Sequence, residues 1–147
     1  MASWPRVEAM PFAAATLESL RPHHRIALAT NAGDSEKSEI VRALRRAGLS
    51  CFFDEVYCRR SMGAAKPEPV FFDAVVSDLS LPRHRIIMVG DDFETDVLGA
   101  NRSGLFAVWL NPRGGPGASG ERHAVVRCLS ELPALLAGLL PHTEAAP

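Results

Sequence analysis

An acidic segment follows a short apolar run at residues 86–90. The run is too brief for a buried helix and ends in Gly90, so it predicts a central parallel strand that breaks into a loop at that glycine. The next residues include Asp91, Asp92 and Asp96. Carboxylates at the carboxyl end of a strand lie where open α/β sheets bind ligands, and hard oxygen ligands suit Mg²⁺. The segment is therefore a candidate Mg²⁺ site; the alternative is a solvated loop in which Asp96 caps a helix.

Two other polar segments lie at the ends of predicted elements. An apolar run at residues 26–29 has the length of a buried strand and ends at Thr30 and Asn31. Further along, Lys66 directly precedes Pro67, and proline is favoured in the first turn of a helix. Both segments are candidate site positions. Each also has an ordinary interpretation, Thr30 as a strand-end hydroxyl that bonds local backbone and Lys66 as a surface lysine.

Apolar periodicity, together with the glycine and proline positions, predicts strands that alternate with helices. Asp34 or Ser35 is expected to cap the second helix. This alternation predicts right-handed βαβ units and an α/β fold, a Rossmann-like three-layer sandwich with a mostly parallel sheet. The predicted helices are 11–20, 36–47, 67–79, 97–104 and 130–140, the strands are 26–30, 55–58, 85–90, 105–110 and 124–128, and the loops are 59–65 and 111–120.

Length and composition fit one domain, assigned to residues 1–140 with a C-terminal tail at 141–147. The formal net charge of -1 argues against a general attraction to nucleic acid or to a membrane surface. Three cysteines without metal-binding spacing predict a reduced, cytoplasmic environment. Charged residues interrupt the N-terminal segment before any long apolar run, so we expect neither a secretory signal nor a transmembrane helix.

Three segments, in this order along the chain, resemble motifs of the haloacid dehalogenase-like hydrolases. Thr30-Asn31 at a strand end resembles the second motif of that family, and Lys66-Pro67 resembles the third. Residues 90–96 followed by Gly99-Ala100 resemble the fourth motif. The resemblance extends over residues 11–140 and implies a haloacid dehalogenase-like fold with hydrolase activity.

The resemblance also implies roles in phosphate binding. Thr30 and the backbone amide of Asn31 would donate hydrogen bonds to the substrate phosphoryl group. Lys66 would neutralise charge on the nucleophile and on the phosphate together. Phosphoryl transfer asks a protein mainly for positioning and for cations around developing negative charge, so this set is chemically coherent.

A metal site is implied in the same way. Asp91 would ligate Mg²⁺. Asp92 or Asp96 would be a further metal ligand, or a side chain outside the coordination sphere that holds the loop and the lysine in place.

One motif of the family is missing. The family begins with a strand that ends in Asp-x-Asp and carries the nucleophile, and this sequence contains no Asp-x-Asp. In the family that strand lies between the strand ending at Thr30 and the strand ending at Gly90. Those two strands must then pair directly, accept a strand from another chain, or leave backbone groups unpaired. Each buried backbone group without a hydrogen bond would cost about 1 to 3 kcal/mol of folding free energy. The cap domain that usually follows the first motif is missing too.

Two functions remain open. The first is a Mg²⁺-dependent phosphatase acting on a small phosphomonoester, with its nucleophile supplied by a partner chain or by residues upstream. The second is a relative without turnover that binds a phosphorylated ligand or a protein partner, as a homo-oligomer or by strand sharing.

Overall fold

Short strands alternate with helices along most of the described chain. The computed structural model describes residues 6–114 and 122–139, and these residues form five strands. The strands are β1 (Ala27–Thr30), β2 (Glu55–Cys58), β3 (Ile87–Gly90), β4 (Phe106–Leu110) and β5 (His123–Val126). The helices between and around them are α1 (Ala13–Leu20), α2 (Lys37–Arg46), α3 (Arg59–Met62), α4 (Pro69–Leu79), α5 (Gly99–Arg102) and α6 (Leu132–Leu139).

The strands form two separate parallel sheets rather than one. β1 pairs with β2, with Ala27 opposite Glu55, and β3, β4 and β5 form the second sheet in that order. No hydrogen-bonded ladder joins β1 to β3 in the described residues. The direct pairing considered from the sequence is therefore not the arrangement of this chain. Among the strands of the described residues, β1 and β3 each have a neighbour on one edge only.

The two sheets nevertheless share their packing on both faces. On one face, Ala29 of β1 and Met88 of β3 contact the same buried cluster, which also includes Tyr57 of β2. On the other face, Ile26, just before β1, and Val89 of β3 contact a second cluster. The first face is covered by α3, α4 and α5, and the second by α1 and α6. The predicted α/β three-layer architecture is confirmed.

Three predictions about the helices and loops were wrong, and in two of them a local hydrogen bond moves the start of a helix. α2 is capped by Glu36 rather than by Asp34 or Ser35, because Glu36 and Glu39 bond each other's backbone in a capping box. Residues 59–65 are not all loop, since the first four form α3. The helix expected at Pro67 begins at Pro69, after Glu68 has accepted a hydrogen bond from Ala65 N at 2.9 Å.

The acidic segment also differs from the predicted loop. Phe93–Leu98 form π-helical turns that run directly into α5, so the helix begins earlier than Val97. Its N-terminal cap is Asp92, not Asp96. The predicted tail at 141–147 and most of the loop at 111–120 lie outside the described residues.

No helix within residues 6–114 and 122–139 combines the length and apolar character needed to cross a membrane.

Candidate active site

The predicted site residues converge at the carboxyl ends of β1 and β3. Asn31 directly follows β1, and its side chain forms two hydrogen bonds with the backbone of Lys66. Asn31 Nδ2 donates to Lys66 O at 2.8 Å, and Lys66 N donates to Asn31 Oδ1 at 2.9 Å. This side-chain bridge fixes the position of the lysine relative to the end of β1.

Lys66 reaches from there to the acidic segment. Its Nζ lies 2.6 Å from Asp96 Oδ1, and the two side chains are only 8% and 6% exposed. Asp96 Oδ2 also accepts a hydrogen bond from Asp92 N at 3.2 Å. Asp96 therefore holds both the lysine and the loop. This is the positioning role, outside the coordination sphere of the metal, that was one of the two alternatives from the sequence. A buried charge pair of this kind is tolerated because each charge is paired and hydrogen-bonded.

Asp92 is exposed and works as a helix cap. Its Oδ1 accepts a hydrogen bond from Thr95 N at 2.8 Å. That backbone hydrogen bond is the main reason why the pKa of Asp92 is lowered from its ordinary value. The carboxylate is thus negatively charged at neutral pH and is already engaged with the first turn of the helix.

Two glycines allow the segments to approach each other. A Cβ on Gly90 would overlap the carboxylate of Asp96. A Cβ on Gly99 would lie 2.8 Å from Pro67 Cβ and 3.0 Å from Phe72. Glycine at both positions lets the acidic segment close onto Lys66 and Pro67.

Asp91 lies at the end of β3 with its side chain exposed. Its backbone carbonyl accepts a hydrogen bond from Trp109 Nε1 at 3.1 Å, and the Trp109 ring packs against Phe93 with centroids 4.8 Å apart. The sequence did not identify Trp109 as a site residue. The sequence feature that could have identified Trp109 is its position near the end of a predicted strand. In the structure it lies opposite Gly90 in the ladder between β3 and β4.

Thr30 ends β1 at the same edge and is half-buried. Its Oγ1 accepts a hydrogen bond from Ala32 N at 3.1 Å, the local backbone contact that the ordinary interpretation predicted. The hydroxyl hydrogen is not used in that bond, so the group keeps a donor for a ligand.

Arg60, which the sequence also left unassigned, ties the loop after β1 to α3. Its guanidinium donates to Asp34 O at 3.3 Å and lies 3.4 Å from Glu36 Oε1. These are exposed contacts, so they position the loop more than they stabilise the fold.

The described residues do not complete a metal site by themselves. No three acidic, histidine or cysteine side chains in residues 6–114 and 122–139 are grouped closely enough to hold a metal ion. Asp92 caps a helix and Asp96 pairs with Lys66, so Asp91 is the carboxylate with the fewest competing contacts. Of the three aspartates predicted to bind Mg²⁺, only Asp91 has a carboxylate that is not engaged in a described contact. Its role as a metal ligand stays a prediction.

The arrangement supplies cationic and hydrogen-bonding groups for an anion, without a nucleophile among the grouped side chains. An ammonium group has three donor hydrogens, and the Lys66 ammonium uses one of them on Asp96. The others, with the Thr30 hydroxyl, can bind an anionic ligand at this edge. Cationic and hydrogen-bonding groups of this kind are what phosphoryl transfer requires of a protein for binding the phosphoryl group.

Comparison with known proteins agrees with this geometry. A family model described as haloacid dehalogenase-like hydrolase matches residues 4–104. The pyrimidine 5'-nucleotidase of Escherichia coli (strain K12) is 36% identical over 103 residues, covering 69% of this chain and 44% of the relative. The N-acylneuraminate-9-phosphatase of Rattus norvegicus is 34% identical over 125 residues, covering 83% of this chain and 49% of the relative. The chain thus spans less than half the length of both relatives.

Solved structures give the same assignment. A haloacid dehalogenase-like phosphatase from Thermococcus onnurineus superposes with a TM-score of 0.76 at 33% identity, covering 88% of this chain and 59% of that one. An uncharacterised protein from Listeria monocytogenes serotype 4b superposes with a TM-score of 0.82 at 29% identity, covering 93% of this chain and 84% of that one. The chain belongs to the haloacid dehalogenase-like hydrolase family.

Proposed function

We propose that this chain provides the phosphate-binding and charge-neutralising part of a phosphatase that acts on small phosphomonoesters. The main observation in support is the buried ion pair between Lys66 and Asp96 at the carboxyl ends of β1 and β3. The Asn31 side chain holds the backbone of Lys66 in this position. The relatives named as a nucleotidase and as a sugar-acid phosphatase support this class of substrate.

In the proposed site each residue has one task. Lys66 places its remaining donor hydrogens toward the phosphoryl oxygens, and Asp96 holds the ammonium group in position. The Thr30 hydroxyl and the Asn31 backbone amide donate further hydrogen bonds to the same group. Asp91 would hold Mg²⁺ together with ligands from outside this chain, and the ion when bound would neutralise negative charge on the phosphoryl oxygens.

The nucleophile is proposed to be an aspartate carboxylate that comes from outside these 147 residues. It would attack the phosphorus atom while the alcohol leaves, and water would then hydrolyse the acyl phosphate to release inorganic phosphate. Lys66 is placed to neutralise both the attacking carboxylate and the phosphate.

Phosphate binding tests the part of the proposal that belongs to this chain. Titration calorimetry with inorganic phosphate should give binding that Lys66→Met removes under conditions where circular dichroism shows that this variant is folded. Glu94→Gln is the matched control, because Glu94 is exposed in the same segment and makes no contact with Lys66 among the described interactions. Equal binding by the Lys66→Met variant and by the unaltered chain would overturn the proposal.

A second candidate function is ligand binding without turnover. It is favoured by one observation: Asp96 is already paired with Lys66, and Asp92 already caps the helix that follows β3. Hydrolysis of an aryl phosphate, with and without Mg²⁺, separates the two functions. Metal-dependent turnover that disappears in Asp91→Ala supports the phosphatase, whereas phosphate binding without any turnover under every tested condition supports the binding protein.

A further inference from the structure

We propose that Trp109 is a positioning residue of the site, whose indole N–H fixes the peptide unit between Asp91 and Asp92 and, through Asp96, helps to hold the ammonium group of Lys66. Trp109 belongs to β4, outside the three segments that the sequence analysis singled out. Its hold on the peptide unit follows from the described contacts, whereas its effect on phosphate binding rests on the proposed function.

The peptide unit between Asp91 and Asp92 is held on both of its sides. Trp109 Nε1 donates a hydrogen bond to its carbonyl oxygen, Asp91 O, at 3.1 Å. The N–H group of the same unit, that of Asp92, donates to Asp96 Oδ2 at 3.2 Å. The carbonyl and the N–H of a trans peptide point in opposite directions, so the indole and the carboxylate bind the unit from opposite sides. A rotation of the peptide plane would break both bonds together.

The same series of contacts reaches Lys66. Asp96 uses one carboxylate oxygen, Oδ2, to accept the bond from Asp92 N, and the other, Oδ1, lies 2.6 Å from Lys66 Nζ. The orientation of this buried carboxylate therefore depends on the peptide unit as well as on the ammonium group. Trp109 acts on Lys66 through one peptide unit and one carboxylate.

The backbone after this peptide unit is fixed by bonds of its own. Thr95 N donates to Asp92 Oδ1 at 2.8 Å, and Asp96 N donates to Asp92 O at 2.9 Å. Neither bond involves the Asp91 carbonyl, to which Trp109 donates. The Cα atom of Asp91 lies in the same planar peptide group, so the direction in which the exposed Asp91 side chain leaves the backbone also depends on the Trp109 bond.

Trp109 also packs against the acidic segment through its ring. The Phe93 ring lies 4.8 Å from the Trp109 ring between centroids, with an interplanar angle of 54°, and it lies 5.6 Å from the His123 ring. A phenylalanine at position 109 keeps an aromatic ring for this packing but has no N–H donor. The hydrogen bond and the ring packing can therefore be tested separately.

Amide hydrogen exchange, followed by NMR, tests the hold on the peptide unit without any ligand. In Trp109→Phe the Asp92 amide should exchange about three- to tenfold faster than in the unaltered chain, as expected for the loss of one hydrogen bond. The Lys66 amide is the internal reference, because it donates to Asn31 Oδ1 and should keep its rate. Unchanged exchange at Asp92, or equal acceleration at both amides, would overturn the inference.

Arg25→Met is the matched control. It also removes a side-chain N–H that donates to one backbone carbonyl, Leu79 O at 3.2 Å. Arg25 lies just before β1, so this contact is at the edge of the sheet opposite the site. Arg25→Met should therefore leave both the exchange of the Asp92 amide and the affinity for phosphate unchanged.

An isosteric replacement keeps the test decisive if Trp109→Phe proves unfolded by circular dichroism. Benzothienylalanine has nearly the shape of tryptophan, with a sulfur atom in place of the indole N–H. The sequence has two tryptophans, so incorporation into a Trp4→Phe chain confines the replacement to position 109. This chain should show the faster exchange at Asp92 relative to Trp4→Phe alone, and equal exchange in the two would overturn the inference.

Phosphate binding distinguishes failure of this inference from failure of the proposed function. Titration calorimetry with inorganic phosphate should show an affinity about three- to tenfold weaker in Trp109→Phe than in the unaltered chain or Arg25→Met. Equal affinity in all three leaves the proposed function intact and overturns the positioning role of Trp109. An unaltered chain that binds no phosphate counts against the proposed function, and the exchange of the Asp92 amide then decides whether Trp109 positions the segment.

Discussion

Lys66 and Asp96 form a nearly fully buried ion pair, with 2.6 Å between Lys66 Nζ and Asp96 Oδ1. The two residues are 30 positions apart and belong to different segments of the site. Asn31 fixes the backbone of the lysine, and Gly90 makes room for the carboxylate. The position of the Lys66 charge therefore depends on contacts among three segments of the chain.

Removing one member of this pair should strongly destabilise the fold. Lys66→Met leaves the Asp96 carboxylate buried without its partner charge, which costs about 3–5 kcal/mol. Urea titration of the unaltered chain and the variant measures the difference in their free energies of unfolding. Lys37→Met is the matched control, because Lys37 and Glu55 form a pair of 3.4 Å whose side chains are 52% and 37% exposed, and such pairs contribute about 1 kcal/mol or less. Equal losses in the two variants would show that Lys66 is not effectively buried.

Gly90→Ala should be costly for a different reason. The added Cβ would overlap the Asp96 carboxylate, so either the ion pair or β3 must shift, and we expect a loss of about 2 kcal/mol or more. Gly138→Ala in α6 is the control, since a Cβ there meets nothing within 4 Å and alanine is the better helix former by about 1 kcal/mol. Thermal melts should shift in opposite directions, and a stable Gly90→Ala chain would contradict the packing described.

Asn31→Ala should release the Lys66 backbone. Two side-chain hydrogen bonds are lost, with an expected cost of about 1–3 kcal/mol, and the Lys66 amide should exchange faster with solvent. Asn101→Ala also removes two hydrogen bonds from an asparagine to backbone carbonyls, to Leu105 and Arg122, away from the site. Both variants should lose stability, but only Asn31→Ala should weaken phosphate binding. Equal phosphate affinity in the two would argue against a positioning role for Asn31.

The strands could be predicted from sequence because each is a short apolar run ended by polar residues or glycine. β2 was predicted with its observed bounds, 55–58, and β3 differs only at its first residues. The helix starts were less predictable. Glu36 caps α2 through a reciprocal bond with Glu39, a choice among several adjacent polar residues that composition does not decide.

The site was predicted as a set of residues but not as a set of contacts. Thr30 and Asp91 come at the ends of predicted strands and Lys66 directly before a predicted helix, and the order of the three segments resembles the motifs of the family. That the Asn31 side chain bridges to Lys66 depends on how segments 35 residues apart approach each other, which no local pattern encodes. The division of the described strands into two sheets is of the same kind, since a sequence indicates which runs form strands and leaves open which strands pair.

Tyr57 gives a prediction for alkaline pH. Its side chain is buried and its hydroxyl donates to Asp78 Oδ2 at 2.6 Å. Burial, followed by the hydrogen bond to Asp78, raises the pKa of Tyr57 well above its ordinary value of 10.0. Below about pH 10 the phenol is protonated in the folded and unfolded chain alike, so its contribution to stability is fully present. As the pH rises further, the unfolded chain loses that proton first, and the free energy of unfolding should fall.

Tyr57→Phe cannot ionise, so the difference in unfolding free energy between the unaltered chain and this variant should shrink as the pH rises above about 10. Other titrating groups cancel in that difference. Tyr57 is the one tyrosine of the sequence, so phenolate absorbance in the folded chain reports on it alone. We expect no phenolate signal until the chain unfolds, and a folded chain that ionises near the ordinary pKa would show that the Tyr57 hydroxyl is not held against Asp78.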